Sequence, residues 1–149
     1  MLHTILVPLD GSTRAEKILP YVEELAFARE SKIVLLEVVE PSAYMVGSYE
    51  TMPYYSQELA TNALKEAQHY LDGVAHEYRA RGLAVTTLVK HGLVVRSILE
   101  TAEEVDADVI AMASHGRTGL GRVFYGSVAA GILQQADRPL LVIRTEETA

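Results

Sequence analysis

Short, almost wholly apolar runs alternate along this chain with longer segments in which apolar residues recur every three or four positions. Thr4 to Leu9 is the first such run and reads as a strand. Thr13 to Arg29 then places Ala15, Ile18, Val22, Leu25 and Ala26 on one helical face, the period of a helix that buries one stripe. Thr13 followed by Glu16 has capping-box spacing, with Ser12 as a competing cap. Ile33 to Val39 is a second strand, apolar enough to be buried on both faces. Pro41 to Pro53 breaks the rhythm with Ser, Gly, Pro and Tyr, which predicts an irregular loop. A long helix is predicted from Ser56 to Arg81. Its stripe is Ala60, Ala63, Leu64, Ala67, Leu71, Val74 and Tyr78, and Gly82 stands at its end. Ala84 to Lys90 is a third strand, and His91-Gly92 turns the chain into a helix from Val94 to Val105, with Val95, Ile98, Leu99 and Ala102 facing inward. Asp108 to Ala113 is the fourth strand. Ser114 to Gly126 is a glycine-rich loop, Ser127 to Ala136 a short helix, and Leu140 to Arg144 a final strand opened by Pro139.

Strands alternating with helices predict a single α/β domain, an open doubly wound sheet of five parallel strands with helices on both faces. Parallel neighbours need crossover helices, and right-handed crossovers distribute those helices over both sides. In such sheets ligands bind beyond the carboxyl ends of the strands, where the strand order reverses. The ends of strands one and four are therefore the places to search.

Bulk properties narrow the chemistry. The 149 residues suit one domain. A net charge of −7 gives a phosphate backbone little to bind, so no nucleic-acid partner is expected. No apolar stretch approaches the roughly 20 residues that span a bilayer, so no membrane insertion is expected. The apolar start, Met1 to Pro8, has neither a basic leader nor a small-residue cleavage site. It reads as a buried strand, and the expected location is cytoplasmic. The absence of cysteine removes disulfide and thiol chemistry.

The segment after strand four has the makings of an anion site. Its glycines allow close backbone approach. Ser127 opens a helix whose free N–H groups and dipole favour phosphate. Arg117 and Arg122 add positive charge to an acidic chain. Two standard signatures are absent: no lysine follows a glycine, as a Walker loop requires, and Gly119-x-Gly121 leads to Phe124 where a dinucleotide fingerprint needs glycine. A loose surface loop is the alternative reading of the same glycines.

The chain resembles the universal stress protein family, on Ile5-Leu6-Val7-Pro8-Leu9-Asp10-Gly11-Ser12, Leu36-Glu37-Val38-Val39-Glu40 and Ser114-His115-Gly116-Arg117-Thr118-Gly119 with Gly126-Ser127. That family's ATP-binding pattern is Gly, two residues, Gly, nine residues, Gly, then Ser or Thr. Gly116, Gly126 and Ser127 match it, and Ala113 replaces the first glycine. The replacement matters where the family's glycine uses positive φ or touches ligand closely. The resemblance implies strand order 3-2-1-4-5, bound ATP with or without magnesium, and a homodimer. Carried across, it implies Asp10 at the ribose or adenine, Pro8, Leu9 and Val38 around the base, and Met112 and Ala113 beside the nucleoside. Gly116, Arg117, Gly126, Ser127 and Val128 would meet the phosphates. In the implied order the apolar run Leu140 to Ile143 is an edge strand, which invites pairing between two copies.

Other residues carry less. Asp10-Gly11-Ser12 is also good turn chemistry. Ser114 and His115 lack a nucleophile elbow and an orienting acid. His69 and His76 share a helix face without further ligands. The tyrosines at 44, 49, 54 and 55 fit loop packing or a cover for a base. Hydrolysis needs a water-orienting base and usually a carboxylate-held metal, and Asp10 is assigned neither role. The expected function is ATP binding in a stress-response or regulatory protein. A nucleotide-free dimeric scaffold and a slow ATP hydrolase are the alternatives.

Overall fold

The computed structural model describes residues 1–41, 53–116 and 126–146, with backbone only at 53–56, 115, 116 and 146. The strands are β1 (Thr4–Leu9), β2 (Lys32–Val39), β3 (Ala84–His91), β4 (Val109–Gly116) and β5 (Leu140–Glu146). The helices are α1 (Leu19–Arg29), α2 (Pro53–Ala80), α3 (Val94–Glu104) and α4 (Gly126–Gln135). All four strand pairings are parallel, and the order is β3-β2-β1-β4-β5. The implied order and the α/β architecture are both observed.

Alternation along each strand divides the core between the two faces of the sheet. Ile5, Val7, Leu9, Ile33 and Leu35 pack with Val22 and Ala26 of α1 and Leu71 and Tyr78 of α2. Leu6, Val34, Leu36, Ile110 and Met112 pack with Ile98 and Ala102 of α3 and Ala129 and Ile132 of α4. The helical stripes read from the sequence are the buried stripes. The parallel register then carries all five strand ends, and the starts of α3 and α4, to one rim.

Beyond shifts of a residue or two at other ends, four boundaries bear on the site or its caps. The first helical segment enters through a 3-10 turn, Ala15–Ile18. Ser12 supplies its cap, because Ser12 Oγ accepts from the Ala15 N–H at 3.1 Å; the Thr13–Glu16 box is not formed. The long helix begins at Pro53, a residue favoured in a first helical turn. The fourth strand continues through Ser114, His115 and Gly116, which pair with Arg144, Thr145 and Glu146. Thr145 Oγ1 donates to the Ser114 carbonyl at 2.7 Å, so β5 draws out as strand a segment that its glycine marks as loop. The last helix starts at Gly126. Most of the predicted Pro41–Pro53 loop, with Tyr44 and Tyr49, lies outside the described residues. So do Arg117 to Tyr125 of the glycine-rich segment.

Candidate functional site

At the rim where β1 and β4 end, a cleft with about 560 Å³ of empty space, part of it open to solvent, separates the strand ends from α3 and α4. Pro8, Leu9 and Asp10 form one wall, and Met112 and Ala113 of β4 the next. Gly126, Ser127, Val128 and Ala129 of α4 close the far side. Eight residues expected from the sequence thus line one cleft. Val38 does not; it packs into the core beneath α3 and α4. Gly116 is placed only as the last residue of β4, and Arg117 lies outside the described residues. Ala15, Val94 and Ile98 also line the cleft and were not anticipated. The crossover rule could have found Val94 and Ile98, because it brings the first turn of α3 to the carboxyl end of the sheet.

The cleft is polar at two ends and apolar between. Asp10 is exposed and already oriented: its Oδ1 accepts from the Ser12 N–H at 2.9 Å and from Ser12 Oγ at 2.5 Å. Its Oδ2 has no part in that turn. At the other end, the first N–H groups of α4 have no intrahelical acceptors. The first turn of α4 contains no acidic residue, so nothing on the helix offsets its positive end. Gly126 begins α4 at φ +73°, a conformation that costs a side-chain-bearing residue about 1–2 kcal/mol. Ala113 sits in strand backbone opposite Ile143 and is not one of the positive-φ residues. A methyl group there carries no conformational cost; its effect is confined to the space it fills.

A second carboxylate lies beside this rim. Glu37 is opposite Leu9 and Val89 in the sheet. Its Oε2 is buried without a hydrogen-bond partner. Burial, and then the nearby Asp10 charge, push its pKa above the ordinary glutamate value. Tyr70 Oη, likewise buried, reaches no acceptor in bonding geometry. Its pKa is strongly raised by burial and then by the Glu16 carboxylate close to it. A lone charge inside the apolar run Ile33 to Val39 was the available sequence signal for Glu37.

A model described as "Universal stress protein family" matches residues 1–144. The chain belongs to the universal stress protein family. Universal stress protein Sll1654 of Synechocystis is 32% identical over 146 residues, covering 96% of this chain and 86% of the relative. Universal stress protein MJ0577 of Methanocaldococcus jannaschii is 24% identical over 159 residues, covering 99% and 98%. The solved MJ0577 structure superposes with a TM-score of 0.83 at 26% identity, covering 99% of both chains. Two more distant universal stress proteins share the fold and were solved with nucleotides. One is in complex with cAMP (TM-score 0.61, 22% identity, 97% and 98% covered) and one from Archaeoglobus fulgidus with dAMP (0.67, 19%, 96% and 98%). At those identities the likeness concerns the fold.

Within this universal stress protein the described residues contain no group of three or more His, Cys, Asp or Glu placed to hold a metal. Among the described residues, Asp10 is the one carboxylate in the cleft lining. The donor set of the described residues does not fit a protein-held metal centre. No helix of the described residues is long and apolar enough to cross a membrane.

Proposed function

We propose that the cleft binds an adenine nucleotide, with ATP as the physiological form, and that the protein works as a regulatory or stress-response module in the cytoplasm. One observation carries the reading: the oriented Asp10 carboxylate and the start of α4, whose first turn holds no acidic residue, face one cleft across an apolar floor. That combination suits a nucleotide, whose ribose hydroxyls join a flat, largely apolar base to a charged phosphate. Asp10 Oδ2 accepts from a ribose hydroxyl. Pro8, Leu9 and Met112 hold the base. The N–H groups of Gly126, Ser127 and Val128 and the Ser127 hydroxyl hold phosphate, and Gly116 and Arg117 belong to the same phosphate set. Distant family members solved with cAMP and dAMP favour adenine as the base. Any magnesium would arrive with the triphosphate and neutralise part of its charge. No catalytic residue is assigned, so the output is conformational or directed at a partner.

The proposal includes a homodimer through β5. This strand is a sheet edge, and Leu140 to Ile143 are all half-buried rather than covered. A two-fold axis pairs two such edges antiparallel.

Calorimetry of the purified protein with ATP, ADP, AMP and cAMP, with and without magnesium, tests the nucleotide reading. Wild type should bind, and Gly126→Val should not, because a β-branched side chain neither adopts that φ nor leaves the backbone accessible. A folded wild type that gives no heat at millimolar nucleotide would establish the scaffold alternative.

A further inference from the structure

Two glycines interrupt the interiors of long or buried helices, and each costs about 1 kcal/mol of helix stability relative to alanine. They differ in their surroundings. A Cβ built on Gly73 of α2 would have nothing within 4 Å. A Cβ built on Gly131 of α4 would lie 2.8 Å from Val95 Cγ2, 3.4 Å from Val95 Cγ1 and 3.6 Å from Val95 Cβ. The shortest contact is about 0.7–1.2 Å closer than the roughly 3.5–4.0 Å at which carbon atoms rest together. Rotation of Val95 cannot relieve it cheaply, because both methyls flank the position and a helical valine has one strongly preferred rotamer. Alanine at 131 would therefore push α3 and α4 apart.

That contact stands directly behind the cleft. Val95 is the second residue of α3 and follows Val94, which lines the cleft; Ile98, one turn on, lines it too. Gly131 lies about one turn beyond Gly126, Ser127 and Val128. Both helices begin at the same rim. We infer that Gly131 is a positioning residue: its missing side chain lets α3 and α4 approach through Val95, and this approach sets where the α4 N-terminus stands across the cleft. The inference rests on the cleft being the nucleotide site. Gly131 does not touch the ligand; it fixes the distance from the phosphate-holding N–H groups to Asp10.

The experiment measures ATP affinity by calorimetry and thermal stability by circular dichroism for Gly131→Ala, Val95→Ala, the double variant and Gly73→Ala. Gly131→Ala should bind ATP about tenfold more weakly, the scale of one charge-assisted hydrogen bond pulled out of reach. The double variant should return to within about twofold of wild type, because removing the Val95 methyls reopens the space for the new one. Val95→Ala alone should weaken binding less than Gly131→Ala does, since it removes packing at the contact without forcing the helices apart. Gly73→Ala should bind as wild type and melt higher. A merely structural role for Gly131 would move melting temperature and leave affinity alone. Wild-type affinity in folded Gly131→Ala, or a loss that Val95→Ala fails to rescue, would overturn the inference while the nucleotide reading stands. A wild type that does not bind ATP would overturn both. If Gly131→Ala proves unfolded, the double variant carries the test: it should fold and bind ATP within about twofold of wild type, and a double variant that folds but binds weakly would overturn the inference.

Discussion

The sharpest prediction concerns Asp10→Asn, a change of one atom that separates the two tasks of this side chain. Oδ1 organises the strand-to-helix turn by accepting from the N–H and hydroxyl of Ser12, and an asparagine oxygen can take both bonds. The turn should therefore survive, with stability within about 0.5 kcal/mol of wild type, the usual range for an exposed substitution. For a chain of this length that is about 1–2 °C in melting temperature. Oδ2 is the atom proposed to accept from ribose, and the substitution turns it into an uncharged donor. A hydrogen bond to a charged group contributes about 1.5–3 kcal/mol, against about 1 kcal/mol for a neutral one. Losing the charge alone thus costs about 1 kcal/mol or more, and losing the bond outright places the effect between roughly fivefold and a hundredfold in Kd. The position of the loss matters as much as its size. Asp10 stands at the nucleoside end, so adenosine should lose the same factor as ATP. Inorganic triphosphate, which reaches only the α4 end, should not lose affinity, and removal of a negative charge should if anything improve it. Calorimetry with the three ligands on protein of verified circular dichroism provides the comparison. Unchanged adenosine affinity, or an equal loss for triphosphate, would refute this assignment of Asp10.

Glu37→Gln should stabilise the protein near neutral pH. The pKa of Glu37 is raised on folding, so the folded state binds more protons than the unfolded one from about the unfolded value upward. Stability is then lost as pH rises from 4.5 through the folded pKa. The half-exposed group is screened, which limits the gain to about 1 kcal/mol, and urea unfolding at pH 4 and pH 7.5 should show it only at the higher pH. Arg138→Met should lower the melting temperature by about 5–10 °C, from about 2–3 kcal/mol of lost bonding. Its Nη1 donates to the carbonyls of Ala102 at 3.0 Å and Ala107 at 2.8 Å, tying α3 to the start of β4; a change under about 1 °C would show the tie to be dispensable. Val142→Lys should convert a dimer to monomer in sedimentation at micromolar concentration, and a wild type that sediments as monomer would remove the β5 interface.

Periodicity carries far in this chain because burial is what it encodes. Val22 and Ala26, Leu71 and Tyr78, and Ile98 and Ala102 were all legible as inward positions, and they are the residues the two core layers enclose. Gly82, at φ +94°, closes α2 where a stop was read. The boundaries that shifted depend on a partner strand or on competition between caps. Nothing local to Ser114, His115 and Gly116 reports that β5 runs beside them and extends β4. Thr13 and Ser12 both offer a hydroxyl, and the Asp10 bond to Ser12 decides between them.

The candidate site divides along the same line. The residue types came from the chain itself: a carboxylate at the end of the first strand, and a Gly-Ser opening the last helix. Parallel topology, itself implied by alternating strands and helices, brings these to one rim, since every crossover returns the chain to the same end of the sheet. What the linear order could not supply are distances across the rim. The first turn of α3 enters the cleft through Val94 and Ile98, whereas Val38 packs against the same core layer as Ile98 and Met112 without lining the cleft. The approach of Gly131 to Val95 joins residues 36 positions apart on two helices. Such a contact exists only after both helices have settled on the sheet, so local sequence determined the pieces and packing determined the gap between them.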